Sequence, residues 1–195
     1  MRTSSIERNT KETKIKMTLN LDGSGKANIQ TGVGFMDHML ELFAFHGSFD
    51  LNIVCQGDIQ VDSHHTVEDL GIVLGMCIKE ALGDKKGITR YGQMSIPMDE
   101  AMVTTTLDLS GRPYLVYNAV LPMPILGQYE TEMTKEFFKA VSDQSLMTLH
   151  IYENYGENTH HIIEAMFKSF ARALKQAVFI DEMNKDEIIS SKGVL

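Results

Sequence analysis

Long apolar runs, cysteines and surplus cations are all scarce in this chain of 195 residues, and each scarcity closes off a class of function. The apolar stretches are short and broken by charges. None approaches the ~20 apolar residues that a membrane helix needs, so no membrane partner is expected. The opening Met-Arg-Thr-Ser-Ser-Ile-Glu-Arg-Asn-Thr-Lys contains no apolar stretch of the kind a secretion signal carries, and a cytoplasmic protein is the expectation. Only two cysteines occur, Cys55 and Cys77, each inside an apolar run, and they read as buried thiols rather than a disulfide. Lys and Arg number 18 against 26 Asp and Glu, a formal net charge of −8, so the overall field disfavours nucleic acid and none is expected as partner. The remaining composition, 43% hydrophobic and 23% charged, is that of a globular protein of one large domain or two small ones.

What the chain does have is an internal repeat. Asp62-Ser-His-His-Thr-Val-Glu68 recurs as Asn158-Thr-His-His-Ile-Ile-Glu164, at an offset of 96 (160 − 64). Each copy opens a stretch with apolar residues spaced by three and four: Leu70, Val73, Leu74, Cys77, Ile78 and Leu82 in one, Met166, Phe167, Phe170, Ala171, Leu174 and Val178 in the other. That spacing predicts two amphipathic helices, capped by Asp62 or Ser63 and by Asn158 or Thr159. Upstream, Glu12–Leu21 aligns with Glu100–Leu109 at an offset of 88, both alternating as strands do and both running into glycine turns. Helices over Asp37–Phe45 and Thr134–Val141 and strands over Phe49–Val54 and Leu146–Ile151 complete each half. The reading is a ββαββα half written twice, over residues 1–92 and 93–195, with a Ser-Ser-Lys tail closing the second. A four-stranded sheet with two helices cannot cover both faces alone. Two halves packed helix side to helix side would share one core, as one compact α+β domain with two four-stranded sheets.

Adjacent histidines on a helix lie ~100° apart and rarely serve one ion. His64 and Glu68 share a face, as do His65 and Glu68, and the second copy offers the same choice through His160, His161 and Glu164. Six ligands in two identical patterns suit two metal ions, each drawing on both halves or on neighbouring subunits. The repeat nominates two more: His38, 26 residues before His64, and Glu136, 24 residues before His160. Imidazole and carboxylate without thiolate favour Mn, Fe or Zn over Cu(I) or an iron–sulfur cluster. His150, alone on an apolar strand, reads as an ordinary surface or core histidine, and His46 beside Gly47 fits a helix end as well as a site. Arg90, Arg112 and Lys192 are candidates for a phosphate cradle, although the Ser190-Ser-Lys-Gly-Val-Leu195 tail also reads as a plain solvated terminus.

Taken together, Gly34-Phe-Met-Asp-His-Met-Leu40, Asp62-Ser-His-His-Thr-Val-Glu-Asp69, Asp108-Leu-Ser-Gly-Arg-Pro-Tyr114, Asn158-Thr-His-His-Ile-Ile-Glu-Ala165 and the final Ser-Ser-Lys-Gly-Val-Leu resemble the imidazoleglycerol-phosphate dehydratases, in the order that family shows. No phosphatase domain flanks these stretches, so the resemblance is to the monofunctional form. It implies a metal-dependent hydro-lyase of histidine biosynthesis, which converts D-erythro-imidazole-glycerol phosphate to imidazole-acetol phosphate. It further implies two Mn(2+) per active site, a homo-oligomer of 24 subunits with sites between subunits, and a duplicated ββαββα fold (ribosomal protein S5 domain 2-like). The metal ligands implied are His38, His64, His65, Glu68, His160, His161 and Glu164, with Glu136 where many members carry histidine. Phosphate contacts fall on Arg90, Arg112, Lys168, Ser190 and Lys192, a substrate-contacting glutamate on Glu12 and a substrate-proximal histidine on His46.

The expected reaction removes a hydrogen from an unactivated carbon. Ions on the substrate's imidazole would acidify the ring, so that a metal-bound imidazolate expels the hydroxyl; a base then takes the C2 proton. Glu12 is the candidate base and Glu164 its rival, while composition alone would make Glu12 a solvated charge at a strand end. Two other readings fit the ligand set: a two-metal hydrolase of a phosphorylated substrate, and a non-catalytic metal-binding shell protein. Release of inorganic phosphate marks the first, and the second has no use for a phosphate cradle.

Overall fold

In the computed structural model, which describes residues 1–193 and 195, alternation along each strand decides what faces inward. In the second strand Ile15, Met17 and Leu19 are buried while Lys14 and Lys16 are exposed. The first half contains β1 (Thr3–Asn9), β2 (Thr13–Asn20), β3 (Ala27–Gln30), α1 (Gly34–Gly47), β4 (Asp50–Gly57) and α2 (His64–Leu82). The second contains β5 (Tyr91–Met98), β6 (Ala101–Asp108), β7 (Tyr114–Asn118), a short hairpin of β8 (Ile125–Leu126) and β9 (Tyr129–Glu130), then α3 (Met133–Ser145), β10 (Thr148–Tyr155) and α4 (Thr159–Val178).

Each half builds one four-stranded sheet, β1-β2-β4-β3 and β5-β6-β10-β7, with the last pair parallel and the others antiparallel. The count per half is the expected one, but the third strand precedes the first helix instead of following it. The four residues of β3 have only Ile29 buried, so they carry no alternation to announce a strand. The β8–β9 hairpin was not expected either, and it explains the offsets. The repeat runs at 88 through the strands (100 − 12) and at 98 across the next helices (136 − 38), because the hairpin is inserted between β7 and α3. It falls back to 96 because the loop from β4 to α2 is longer than that from β10 to α4.

The helices lie between the sheets and pair across the halves, α1 with α4 and α2 with α3. Phe43 stacks on Phe170 at 5.5 Å between α1 and α4. The α2–α3 pair comes closer, since a Cβ on Gly71 would lie 2.6 Å from the Phe137 carbonyl and one on Gly75 2.8 Å from that of Val141. All four helices and both sheets feed one core. No helix of the described residues is long and apolar enough to cross a membrane.

Candidate metal centre

Cross-pairing of the helices is what assembles the site. On α1 the buried series Met36, Met39, Leu40, Phe43, Ala44 leaves His38 at the edge of the core. On α4 the apolar face brings His160 and Glu164, one turn apart, to the same seam. Asn158 caps α4 by accepting from the backbone N–H groups of His160 and His161 at 2.9 and 3.4 Å, which fixes that first turn. His38 Nε2 then lies 3.6 Å and His160 Nε2 3.2 Å from Glu164 Oε2. Donor atoms of His38, His160 and Glu164 all fall within 4.8 Å of one another. Phe35 walls the group, edge-on to His160 at 5.2 Å and against the buried Tyr129 of the β8–β9 hairpin at 5.0 Å.

Glu164 is the buried member, 7% exposed. Burial alone would raise its carboxyl, but the Lys168 ammonium 2.5 Å from Oε1, then His160 and His38, hold it below the usual carboxylate range. A buried carboxylate kept ionised and facing two partly exposed imidazoles is a donor set suited to a divalent ion. The two thiols are no competitors: both cysteines are free and buried, and burial pushes Cys55 up to about 12 and Cys77 up to about 11.

The pseudo-symmetric seam, α2 against α3, carries the matching residues. His64 Nε2 lies 3.6 Å from Glu68 Oε2, and the half-buried Glu136 stands on α3 where His38 stands on α1. Glu136 makes no hydrogen bond or ion pair among the described residues. The other two histidines turn away from both seams. His65 Nδ1 is held by Asp58 at 3.0 Å, with Nε2 3.9 Å from Glu12. His161 Nδ1 is held by Glu100 at 2.7 Å, with Nε2 3.7 Å from Asp99. Such carboxylates fix which nitrogen faces a metal. Asp58 and Asp99 were missed by sequence reasoning, since loop residues have no periodicity. Glu100 was detectable as the repeat partner of Glu12, but the sequence attached no role to it.

The expected cations divide between two places. Lys168 sits beside Glu164, and His46 at the end of α1 is half-buried; burial, then Lys168 and Arg172, push its imidazole below the ordinary value. Arg90, Arg112, Ser190 and Lys192 lie elsewhere, at one corner where the tail folds back. Arg90 grips Asp108 at 2.7 and 3.1 Å and donates to the Ile189 carbonyl at 2.8 Å. A methyl on Gly111, next to the exposed Arg112, would come within 3.0 Å of the Leu195 carbonyl carbon. Ser190 accepts from the Lys192 backbone at 3.2 Å, and the Lys192 side chain is exposed.

Residues 31–174 match the family model of imidazoleglycerol-phosphate dehydratase. An imidazoleglycerol-phosphate dehydratase of Lactococcus lactis subsp. lactis is 61% identical over 198 residues, covering all of this chain and 99% of the relative. One from Clostridioides difficile is 55% identical over the whole of both chains. Among solved structures, the enzyme of Staphylococcus aureus superposes with a TM-score of 0.84 at 44% identity, over 92% of this chain and 99% of the other. That of Pyrococcus furiosus gives 0.83 at 35% identity, over 97% and 100%.

Proposed function

The chain belongs to the imidazoleglycerol-phosphate dehydratase family, and from that membership we propose that it removes water from D-erythro-imidazole-glycerol phosphate to give imidazole-acetol phosphate in histidine biosynthesis. The observation that carries the metal-dependent part of this reading is the meeting of His38, His160 and Glu164 from opposite halves. They would hold one Mn(2+), and His64, Glu68 and Glu136 on the pseudo-symmetric seam would hold the second. Bound there, the ions supply Lewis acidity to the substrate's imidazole ring, easing departure of the hydroxyl.

The remaining chemistry falls to the chain's own groups. Glu12 is the better candidate for taking the C2 proton. Its exposed carboxylate accepts no hydrogen bond among the described residues, whereas both oxygens of Glu164 are engaged by Lys168, His160 and His38. Arg112, Ser190 and Lys192, with Arg90 behind them, hold the phosphate, and Lys168 and His46 line the approach to Glu164. Remote binding of this kind orients the reacting carbons.

The spacing of these groups supports a site shared between copies. The ligand cluster is at the first turns of α4, while the Arg90 N–H bonds to the Ala177 carbonyl near the other end of that helix. Ala177 lies thirteen positions beyond Glu164 (177 − 164), about 20 Å of helix. A three-carbon chain between an imidazole and a phosphate is far shorter. The reading is therefore a homo-oligomer, of 24 subunits as the resemblance implies, in which one subunit's cationic corner faces another's ions and His65 and His161 complete a neighbour's metal sites.

The test is turnover by chelated enzyme before and after Mn(II) is added back, with ketone and free phosphate both assayed. Ketone that appears only with metal, without phosphate, is expected. Phosphate release instead would establish the hydrolase, and no ketone from a metal-loaded, folded sample would remove the substrate assignment. Chelation should also lower the sedimentation coefficient, because buried ligands from several elements are left unpaired.

A further inference from the structure

An ion pair between a buried carboxylate and a half-buried guanidinium in the first half has no counterpart among the described residues of the second. Asp69, the residue after Glu68 on α2, is 8% exposed. Its Oδ2 lies 2.6 Å from Arg8 Nη1 on β1 and accepts a hydrogen bond from the Thr13 hydroxyl at the start of β2. The repeat supplies the alternative. Arg8 pairs with Ile15 across β1–β2, and Ile96 pairs with Val103 across β5–β6, so Ile96 occupies the position of Arg8. By the same offset of 88, Ala101 replaces Thr13 (101 − 13), and at the helix offset of 96, Ala165 replaces Asp69 (165 − 69). Ala101 and Ala165 are fully buried. The molecule thus packs the same strand–strand–helix corner twice, once with an ion pair and once with methyl groups.

Stability does not account for the charged version. Buried ion pairs carry a desolvation cost that apolar residues of similar shape avoid, and here Arg8 Nη1 makes no aligned hydrogen bond. What differs between the corners is the turn above them. In the second half Met98 pairs regularly with Ala101 around the two residues Asp99 and Glu100. In the first, the Thr13 N–H is taken at 2.9 Å by the Thr10 hydroxyl rather than by its carbonyl, and that hydroxyl also accepts from Glu12 N–H at 3.1 Å. The Glu12 carbonyl accepts from Asp58 N–H at 3.1 Å. The backbone of Glu12 is thereby locked on both sides, and the lock is keyed to α2 through Thr13 and Asp69.

We propose that Arg8, Thr13 and Asp69 are positioning residues that hold the Glu12 carboxylate in register with the His64–Glu68 turn of α2. This rests on Glu12 acting at the substrate, and the experiment separates the two claims. In the metal-loaded assembly, Thr13→Val keeps the β-branched shape and removes the donor. Its kcat should fall about 10²-fold, as a misplacement near 1 Å costs, with KM and metal content unchanged and the melting temperature lowered by the one donor that Asp69 loses. Thr13→Ser, which keeps the hydroxyl, should restore most of the rate. The triple variant R8I/T13A/D69A, a copy of the second half's own packing, should melt no lower than wild type and turn over as slowly as Thr13→Val. If it does not fold, Thr13→Val decides alone.

Wild-type kcat in Thr13→Val while Glu12→Gln is inactive overturns the positioning role and leaves Glu12 standing. A loss of kcat matched by lost metal, or one that Thr13→Ser does not restore, also overturns it, since the role is then structural. Wild-type kcat in Glu12→Gln removes the reading of Glu12 and this inference with it.

Discussion

The turns at Glu12 and Glu100 occupy equivalent places beside the two His-His helices, yet their carboxylates have opposite surroundings. Glu100 accepts from Asn158 N–H at 2.7 Å, from Glu157 N–H at 3.3 Å and from His161 Nδ1 at 2.7 Å. Those partners, His161 first, pull its carboxyl down to about 2. The Glu12 carboxylate accepts no hydrogen bond among the described residues, and His65 Nε2 lies 3.9 Å away. The difference traces to the longer loop from β4 to α2, which supplies Asp58 to hold His65 Nδ1. In the second half the turn carboxylate anchors the histidine; in the first Asp58 does so, and the turn carboxylate makes no such bond. The same turn thus holds its histidine in one half and leaves that task to a loop aspartate in the other.

The sharpest way to test that contrast is Glu12→Gln, which should lower kcat by ~10²–10⁴-fold while the melting temperature stays put. Glu100→Gln should do the reverse. It loosens the cap of α4 and the orientation of His161, so the melting temperature falls and metal titration shows affinity weakened ~10–100-fold. Asp58→Ala should weaken metal binding by the lower end of that range, ~10-fold, because Glu12 can turn to His65, and turnover should fall with it. Metal affinity unchanged in Asp58→Ala would mean that His65 needs no anchor and that the contrast is incidental.

The smallest effect concerns the far end of the same β1–β2 hairpin, where Arg2 pairs with Asp22 at 2.6 Å. Arg2 holds the Asp22 carboxyl below its ordinary 3.8. The pair's contribution is therefore complete above that value and is lost as pH falls through the lower, folded one. Arg2→Ala should melt below wild type at neutral pH, with the gap closing under pH 3.8. A constant gap would assign the loss to the Arg2 bond with the Val178 carbonyl instead.

The duplication was legible because His-His-x-x-Glu is rare and its spacing is set by helix geometry, and the sheets because Ile15, Met17 and Leu19 alternate with lysines. The position of β3 was not, since Asn28 and Gln30 look like loop residues and its pairing with β4 is decided by tertiary contacts. The cross-pairing of α1 with α4 was equally hidden, because an apolar face does not name its partner. Nor could Asp58, Asp69 or Asp99 be distinguished from solvated carboxylates, since what sets them apart is a partner brought close only by folding.

The length of α4 has a genetic consequence. If the ions of one subunit serve the cationic corner of another, a chain crippled at Glu164 and a chain crippled at Arg112 are each inactive alone. In a mixed particle, an intact cluster from one would meet an intact corner from the other. Two alleles without growth on their own would then support it together, to an extent set by the ratio in which they are expressed.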